Sequence, residues 1–330
     1  MEHFSENEHW MIEDNNKILV IVNPKASIGK CEKDWPEIQR ILNDKGLDYD
    51  AVVTEYPGHA IALAHDNITE KGYKKIVSVG GDGTNNEVIN GIFTQQRIPT
   101  SEITLGIISV GTGNDWRRTF GFPTAYEDLV EVLKEGRVFS HDVGKVTYYN
   151  NGNSKTRFFL NAAGTGLNEM VCNRTNQLKS QGKGGSVRYM ISTACCLLRF
   201  KCVHVQLEID GALVFDDEIL SLSVGNGKYN GGGMKMMPDA VPNDGLFDIT
   251  VVKKVGMIKF AASINNIYDG TFVDKLKEVT TYRGKKVRIV SLPAHQLLLE
   301  TEGETLTNSP FYFEILPQAI NVIIPNTSDF

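Results

Sequence analysis

The chain has few of the features that mark disulfide-rich, zinc-binding or membrane-spanning proteins. Its 330 residues include five cysteines, an odd number without any Cys-x-x-Cys pair, so neither a disulfide framework nor a zinc site is indicated. The longest apolar stretch, Tyr189 to Leu198, is interrupted by Ser and Thr and is too short to span a bilayer. The net charge of −6 argues against non-specific nucleic-acid binding, which needs an extended basic face.

A secretory signal is also missing. Residues 1–16 contain five acidic side chains and no apolar core, so we interpret them as a flexible N-terminal extension rather than a signal peptide. The protein is accordingly predicted to be cytoplasmic. A hydrophobic content of 41% over this length allows two domains, each with its own core.

Two common nucleotide-binding fingerprints are absent, yet glycine-rich junctions are present. No Gly-x-x-x-x-Gly-Lys-[Ser/Thr] occurs, and Gly81-Asp82-Gly83 is not completed to Gly-x-Gly-x-x-Gly because Asn86 holds the last position. Gly80-Gly81-Asp82-Gly83-Thr84 nevertheless follows the apolar run 76–79 and precedes a helix-like segment. Glycines there let the backbone approach phosphate oxygens, and a helix start supplies free N–H groups. Thr84 and Glu87 form a Thr-x-x-Glu pattern, which predicts a capping box at the helix start. An ordinary glycine turn is the alternative.

A second junction of the same kind follows the strand-like run 105–110. It consists of Gly111-Thr112-Gly113-Asn114-Asp115. Two such junctions predict one nucleotide cleft that is lined from both sides.

The order of elements predicts the fold class. Strand-like and helix-like segments alternate up to about residue 140, which favours an α/β domain with a mainly parallel sheet and ligands at the carboxyl ends of its strands. After residue 142, strand-like runs dominate, among them 203–209, 247–252 and 311–315, and turn signals such as Asp210-Gly211 and Arg283-Gly284 separate several of them. We therefore predict an α/β nucleotide-binding domain over 17–142 and an antiparallel β-rich sandwich over 143–317.

These motifs resemble the diacylglycerol kinase catalytic family, which includes the bacterial soluble lipid kinases and is related to sphingosine and ceramide kinases. The resemblance rests on Asn23-Pro24-Lys25, on the two glycine junctions and on four later segments, 225–227, 231–234, 238–240 and 244–245. It runs from about residue 17 to the C-terminus. It implies a first domain like that of NAD kinases and phosphofructokinases, completed by residues 318–330.

The family resemblance also implies ATP and Mg²⁺ as cofactors and a set of nucleotide-binding residues. Asp82 would bind the catalytic Mg²⁺ or orient the acceptor, and Lys30 would assist the phosphate contacts. The nucleotide-binding positions implied are Asn23, Pro24, Lys25, Lys30, Thr54, Gly80, Gly81, Asp82, Gly83, Thr84, Glu87, Gly111, Thr112 and Asn114.

The segment Glu300-Thr301-Glu302-Gly303-Glu304 departs from the family pattern. The family usually has Asp-Gly-Glu, whose Asp is the general base and whose Glu supports the metal-nucleotide site. Glu302 takes the Asp position here, and Glu304 matches the Glu. Glutamate can accept a proton as well as aspartate can, but its extra methylene moves the carboxylate, and about 1 Å of misplacement can cost roughly 100-fold in rate. A solvated acidic turn is the alternative.

The turn 241–246 offers one carboxylate and several carbonyls, which are hard-oxygen ligands suited to Mg²⁺ or Ca²⁺. The sequence by itself equally allows a solvated turn. The resemblance implies a structural Mg²⁺ bound by the carbonyls of Val241 and Leu246 and the side chain of Asp244. It further implies a water-bridged network of Asp142 with Lys30 and a lysine near Lys183.

A membrane contact is open to two interpretations. Trp116, Phe120 and Phe122 beside Arg117 and Arg118 are either an interfacial patch or core residues with a basic rim. Arg118 is either structural or phosphate-facing.

The sequence thus predicts an ATP-dependent lipid kinase that acts on diacylglycerol or a sphingoid-type lipid at a membrane surface. The oligomeric state stays open, with a homodimer as one arrangement. Two alternatives remain, namely an NAD kinase-like phosphotransferase and an inactive nucleotide- or lipid-binding regulator.

Overall fold

The computed structural model describes residues 15–111, 114–150, 152–180, 193, 195–293 and 297–330. The predicted N-terminal extension therefore lies outside the described residues up to residue 14, and the first strand begins at Asn15.

The first half of the chain alternates strands and helices, as its apolar spacing predicts. Each buried apolar strand is followed by a helix that covers the sheet with one apolar face. The elements are β1 (Asn15–Val22), α1 (Ala26–Asp44), β2 (Tyr49–Val53), α2 (His59–Lys71), β3 (Tyr73–Gly80), α3 (Asp82–Thr94), β4 (Thr104–Ser109), α4 (Asp115–Thr119) and α5 (Tyr126–Glu135). A short 3₁₀ turn, Thr100–Glu102, precedes β4.

The second half is rich in antiparallel strands. Its strands are β5 (Arg137–Asn150), β6 (Asn153–Phe159), β7 (Ala162–Gly166), β8 (Val203–Ile209), β9 (Ala212–Ile219), β10 (Ser221–Gly225), β11 (Phe247–Val252), β12 (Val279–Gly284), β13 (Lys286–Leu292), β14 (Leu298–Thr301), β15 (Glu304–Asn308) and β16 (Phe311–Ile324). Among the described residues, its helices include α6 (Leu167–Ser180), α7 (Met257–Ala262), α8 (Ile264–Asp269) and α9 (Phe272–Lys275), and residues 195–199 are helical as well. None of the described helices is long and apolar enough to cross a membrane.

Two sheets organise these strands. The larger sheet has the order β2-β1-β3-β4-β16-β13-β8-β9, with β5 paired to β16 and β6 paired to β5. Its first four strands are parallel, and β16 joins β4 in parallel through Asn321 and Val322. The smaller sheet has the order β12-β11-β10-β7-β14-β15, and the pairs are antiparallel.

The β sandwich forms where the antiparallel part of the larger sheet packs on the smaller sheet. One apolar cluster joins the two layers, with Leu207, Ile289 and Phe313 from one side and Ile249 and Leu299 from the other. A second cluster fills the α/β part. The predicted fold class, a mainly parallel α/β unit followed by an antiparallel β sandwich, is confirmed.

Strands β5 and β16 run through both parts of the molecule. They pair along almost their whole lengths, from Tyr312 opposite Thr147 to Ile324 opposite Arg137. The register shifts between Leu316 and Ile320, where Gln318 has a left-handed φ of 47°. The sequence predicts a strand-like run over 311–315 only and assigns the end of the chain to the first domain, whereas the structure joins both in one strand.

Candidate active site

The carboxyl ends of the parallel strands meet at one edge of the larger sheet. The loop after β1 is tied to β3, since the Asn23 N–H donates to the Val79 carbonyl over 3.0 Å. The loop after β4 is tied to β3 as well, since the Val110 N–H donates to the Gly80 carbonyl over 2.8 Å. The predicted motifs are thereby brought together at this edge.

The first glycine loop leads directly into α3. Gly80 has no room for a side chain, because a Cβ there would lie 2.4 Å from Thr84 Oγ1. Asn23 Nδ2 donates to that same Oγ1 over 2.9 Å, so the loop after β1 is fastened to the first turn of α3. No side chain caps this helix start, and its first N–H groups and positive dipole end favour an anion.

The predicted capping box is wrong. The helix begins at Asp82 with Gly81 as its N-cap, so Thr84 and Glu87 both lie inside α3. Glu87 instead accepts hydrogen bonds from the N–H groups of Gly58 and Ala60, 2.9 and 3.2 Å away, at the start of α2. The Thr-x-x-Glu pattern matched by spacing alone, while the glycines allow the chain to enter the helix three residues earlier.

The second glycine loop lies against the segments that follow β1 and β3. Gly111 has a φ of 114°, and a Cβ there would lie 2.7 Å from Ser27 Oγ at the start of α1, directly after the loop that follows β1. A Cβ at Gly81 would lie 3.7 Å from Asn114 Oδ1. Thr112 lies outside the described residues. Three loops thus converge with close backbone approach, as a phosphate-binding site requires.

The loop after β1 leads into the first turn of α1, and this turn has an unusual, non-helical conformation. Ser27, Ile28 and Gly29 are consecutive left-handed residues with φ values of 54°, 59° and 77°. A left-handed conformation is costly for a β-branched residue such as Ile28, and strain of this kind concentrates at ligand-binding loops. Pro24 lies in this loop, where its carbonyl accepts the Glu32 N–H over 3.1 Å.

The remaining predicted nucleotide residues have different surroundings. Thr54 is buried directly after β2, and its N–H donates to the Val22 carbonyl over 2.9 Å, so it lies at the same sheet edge. Lys25 Nζ contacts the Glu55 carbonyl at 3.4 Å. Lys30 instead pairs with Asp34 and donates to Tyr126 Oη over 3.0 Å, which raises its pKa to about 12.

Glu302 lies at the tip of the β14–β15 hairpin. Glu302 and Gly303 form its two-residue turn with φ values of 48° and 93°. Both values are positive, as in a type I′ turn, in which glycine is favoured at the second position. A Cβ at Gly83 would lie 3.9 Å from the Glu302 carbonyl, so the hairpin tip packs on the first turn of α3.

The Glu302 side chain is not a solvated turn residue. Its exposed fraction is 8%. Oε1 accepts hydrogen bonds from the N–H groups of Leu160 and Asn161, 2.9 and 2.6 Å away, and Oε2 accepts one from Asn86 Nδ2, 2.8 Å away. A carboxylate has about four lone-pair positions, so one acceptor position is left for a substrate.

Burial raises the pKa of Glu302 to about 7, although its hydrogen bonds with Asn161 and Asn86 work in the opposite direction. The negative charge of Asp82 raises it further. A pKa near neutrality suits a general base. Burial likewise raises the pKa of Glu300 to about 7, and Glu300 accepts hydrogen bonds from Asn230 Nδ2 and the Gly303 N–H at 3.2 Å each.

Glu304 and three residues outside the predicted site surround Glu302. Glu304 pairs with Arg157 of β6, whose Nε donates to Asn86 Oδ1 over 2.8 Å. Asn161 donates its N–H to Glu302. Asn86 belongs to the glycine motif, so the sequence could indicate it as a site residue. Nothing in the sequence near Arg157 or Asn161 indicates that these residues lie around Glu302.

The turn 241–246 is held in place by Asp142. Asp142 Oδ2 accepts the Gly245 N–H and Oδ1 accepts the Gln318 N–H, both over 2.7 Å. Asp244 Oδ1 accepts the Leu246 N–H over 3.1 Å, and its Oδ2 pairs with Arg283. Two of about four lone-pair positions of Asp244 are therefore used, and the donor set of carboxylate and carbonyl oxygens fits a hard cation.

The expected network of Asp142 with Lys30 has no direct bond among the described residues. Lys30 bonds to Asp34 and Tyr126, while Asp142 bonds to Gly245 and Gln318. Lys183, the other expected member, lies outside the described residues.

The aromatic residues near α4 belong to the core. Trp116, Phe120 and Phe122 are 2%, 1% and 9% exposed, so they form no interfacial patch. Arg117 donates to the Pro123 carbonyl over 3.1 Å. Arg118 lies 3.5 Å from Asp115 Oδ1, and a Cβ at Gly233 would lie 3.6 Å from its guanidinium, so it faces the loop 231–233.

A cavity of about 300 Å³ lies between α6, the helical residues 195–199 and β14. Its lining includes Glu169, Arg174, Cys195, Arg199 and Leu298. Glu169 Oε1 is buried without a hydrogen-bond partner, and burial raises the pKa of this carboxyl group. The cavity therefore presents an unsatisfied polar atom of α6 beside Leu298 of β14, the strand that leads to Glu302.

The fold and the site define a class: an edge of a parallel sheet at which three loops converge, completed by a buried carboxylate from a β sandwich. Residues 17–146 match the model of the diacylglycerol kinase catalytic domain, and residues 161–324 match that of the YegS C-terminal NAD kinase beta sandwich-like domain. The chain belongs to the diacylglycerol kinase family and is a kinase, that is, a phosphotransferase.

Individual relatives match over nearly the whole chain. A diacylglycerol kinase of Staphylococcus saprophyticus is 30% identical over 308 residues, which cover 93% of this chain and 95% of the relative. One of Staphylococcus carnosus is 30% identical, with 93% and 94% covered. A crystal structure of a candidate diacylglycerol kinase from Bacillus anthracis superposes with a TM-score of 0.74 at 28% identity, covering 94% of this chain and 97% of the other.

Proposed function

We propose that this chain is an ATP- and Mg²⁺-dependent lipid kinase that transfers the γ-phosphate to a hydroxyl of diacylglycerol or a related, sphingoid-type lipid. The 2.8 Å bond between Asn86 of α3 and Glu302 of the β14–β15 hairpin carries this proposal. It brings a buried carboxylate next to the first turn of α3, where an anion is favoured. The relatives named diacylglycerol kinase support diacylglycerol as the acceptor.

On the nucleotide side, the chain supplies backbone donors rather than a lysine-rich pocket. The loops after β1, β3 and β4 would hold the phosphates of ATP, with Asn23, Lys25, Thr54 and Asn114 lining them. Asp82, at the first position of α3, would hold the Mg²⁺ that accompanies the nucleotide. Bound Mg²⁺ would supply neutralisation of phosphate charge, which is the main requirement of a loose phosphoryl-transfer transition state.

On the acceptor side, Glu302 would take the proton of the attacking hydroxyl at its remaining lone-pair position. The hydroxyl oxygen then forms a bond to the γ-phosphorus, the bond to the bridging oxygen breaks, and ADP leaves with that oxygen. Glu304, held by Arg157, would support the same end of the site. The hydrogen bonds to Glu302 from Leu160, Asn161 and Asn86 fix its direction, as a positioned base requires.

We further propose that the cavity beside Glu169 receives the polar part of the lipid. The unpartnered Oε1 of Glu169 would accept a hydrogen bond from an acceptor hydroxyl, and Leu298 and Met170 provide apolar contact. A lipid acceptor implies contact with a membrane surface, so peripheral membrane association is part of this proposal.

A second, structural Mg²⁺ is proposed at the turn 241–246. The carbonyls of Val241 and Leu246 and the Asp244 carboxylate would bind it. Because Asp142 binds Gly245 of this turn and Gln318 of β16, the ion would stabilise the turn at the point where it meets the long strand.

Transfer of labelled γ-phosphate from ATP in the presence of Mg²⁺ tests the proposal. The acceptors are diacylglycerol, sphingosine, ceramide and undecaprenol in mixed micelles, with NAD as the soluble control. We expect label on a lipid, most on diacylglycerol, and loss of at least 100-fold in kcat in Glu302→Gln. Glu208→Gln, in an exposed ion pair on β8, serves as the matched control.

Two results would contradict the proposal. Label on NAD alone would establish the NAD kinase-like alternative. Measurable binding of ATP without transfer to any acceptor would favour a nucleotide- or lipid-binding regulator that is inactive because Glu302 replaces the usual Asp.

A further inference from the structure

The side-chain amide of Asn86 is fully buried and fully hydrogen-bonded. Its Nδ2 donates to Glu302 Oε2 over 2.8 Å and to the Phe158 carbonyl over 2.9 Å. Its Oδ1 accepts from Arg157 Nε over 2.8 Å and from Asn90 Nδ2 over 3.2 Å. Every hydrogen-bonding position of this amide is therefore assigned to one partner.

The direction of the amide depends on the charged groups on its two sides. A guanidinium can only donate hydrogen bonds, so the side of Asn86 that faces Arg157 must be the oxygen. The side that faces Glu302 is then the NH₂ group, which stabilises the carboxylate. A reversed amide would place its oxygen against the Glu302 carboxylate and the Phe158 carbonyl, and its NH₂ against the Arg157 donors.

Arg157 is itself held in one orientation. Its side chain is 12% exposed and pairs with Glu304 through a second nitrogen, so the guanidinium spans Glu304 and Asn86. A planar guanidinium that uses two of its donors at once has little freedom to rotate. A lysine could supply the charge and a donor, but not this fixed pair of directions.

We propose that Arg157 is a positioning residue for phosphoryl transfer, which acts through Asn86 to hold the Glu302 carboxylate in its reactive direction. This inference rests on the proposed function, in which Glu302 accepts the proton. Arg157 touches neither Glu302 nor a reacting atom in this arrangement. Its effect reaches Glu302 through this one amide, while its ion pair reaches Glu304, so the loss of Arg157 should lower turnover far more than it changes the binding of ATP.

The test compares Arg157→Met and Arg157→Lys with Lys155→Met, a change at an exposed basic residue on the same strand. Steady-state kinetics with the lipid acceptor give kcat and the KM for ATP. We expect kcat to fall by roughly 30- to 100-fold in Arg157→Met, as a misplacement of about 1 Å predicts. Arg157→Lys should recover to within about 10-fold of the wild type, with the KM for ATP within about twofold in both.

A readout independent of turnover accompanies the kinetics. The side-chain amide of Asn86 gives a pair of ¹H–¹⁵N cross-peaks, which are assigned by their loss in Asn86→Asp. We expect this pair to shift in Arg157→Met and to stay in place in Lys155→Met. The thermal unfolding midpoint of each variant shows whether it is folded.

The outcomes separate the two proposals. If the wild type transfers phosphate to no acceptor but the Asn86 cross-peaks respond to Arg157→Met, the proposed function fails and the contact from Arg157 to Asn86 stands. If the wild type is active and folded Arg157→Met keeps its kcat within twofold, or changes only the KM for ATP, Arg157 is not a positioning residue. Unchanged Asn86 cross-peaks in Arg157→Met would overturn the inference by themselves.

Discussion

The backbone N–H of Asp115 donates to Asp82 Oδ2 over 3.1 Å. This bond ties the start of α4, after the second glycine loop, to the first residue of α3. Asp115 in turn accepts the Gly232 N–H at its own Oδ2 over 2.7 Å, so a loop of the β sandwich is attached to the same pair. Two carboxylates, that of Asp82 at the proposed metal position and that of Asp115, thus link backbone from three segments.

Asp82→Asn separates the charge of this residue from its scaffold role. The amide oxygen can still accept the Asp115 N–H, so the loops should keep their positions and the unfolding midpoint should change little. Loss of the negative charge should lower kcat at least 100-fold, because the Mg²⁺–nucleotide complex loses its carboxylate. Activity within threefold of the wild type would exclude Asp82 from the mechanism, and Asp66→Asn on the exposed face of α2 is the control.

Glu302→Asp tests whether the surroundings are built for the longer side chain. The Glu302 carboxylate reaches the N–H groups of Leu160 and Asn161, and shortening the side chain by one methylene withdraws it from them. We therefore expect kcat to fall by about 10- to 100-fold, although aspartate is the usual residue of the family. Equal or higher activity of the aspartate variant, measured in the same transfer assay, would contradict this expectation.

The raised pKa values of Glu300 and Glu302 predict two pH dependences. Both lie at about 7 because of burial, against about 4.3 for an unfolded glutamate, so the folded state retains protons that the unfolded state has released. The stability that these groups contribute is complete below about pH 4.3 and is lost as pH rises through about 7, with a slope of up to about 1.4 kcal/mol per pH unit for each.

Urea unfolding between pH 5 and 8 measures this loss. The slope should be smaller in Glu300→Gln, which cannot release a proton, and an unchanged slope would contradict the assignment. The pH dependence of the turnover rate has the opposite sign, because Glu302 accepts a proton only as a carboxylate. The rate should therefore rise as pH passes through about 7.

Glu169→Gln tests the proposed acceptor cavity. The amide keeps the size of the side chain and an acceptor oxygen but replaces a carboxylate by a weaker, neutral acceptor, so the KM for the lipid should rise by about 5- to 20-fold, which corresponds to the loss of charge assistance in one buried hydrogen bond. The KM for ATP should not change. An effect on ATP alone would remove this cavity from the acceptor site, and Glu70→Gln, exposed on α2, is the matched control.

Asp244→Asn tests the proposed structural Mg²⁺. Addition of Mg²⁺ without nucleotide should raise the unfolding midpoint of the wild type by linkage, and this rise should be lost in the variant. The matched control is Asp210→Asn in the β8–β9 turn, where the carboxylate accepts the N–H groups of Lys285 and Lys286. A wild type whose midpoint does not respond to Mg²⁺ would exclude the site.

Much of this fold could be predicted because the signals are local. Strands β8 and β11 match the predicted runs 203–209 and 247–252 to the residue, since apolar and polar residues alternate along β8, β11 is mostly apolar, and both lie between clear breaks. Strand β7 was missed because its sequence, Ala-Ala-Gly-Thr-Gly, has no large apolar side chain, although all five residues are buried.

The candidate site likewise has a part that the sequence predicts and a part that it does not. The glycine loops could be predicted because each lies at a strand end within a short motif. The partners of Glu302 could not, since 216 residues separate it from Asn86 and 142 from Leu160. The aromatic cluster at Trp116 has two interpretations in the sequence, and only its burial in the structure distinguishes them. The C-terminal part of the chain contributes to this burial, since the ring centroids of Phe330 and Phe120 lie 5.4 Å apart.

The long β5–β16 pair has a mechanical consequence. Two hydrogen-bonded strands pass from the nucleotide-binding part into the β sandwich, so the two parts are joined by a stiff ribbon rather than by a flexible linker. Bending is easiest where the ladder is irregular, between Leu316 and Ile320, and that point is fastened by Asp142 to the turn 241–246. A change in that turn would therefore act on the joint that sets the angle between the sandwich, which carries Glu302, and the sheet that carries α3.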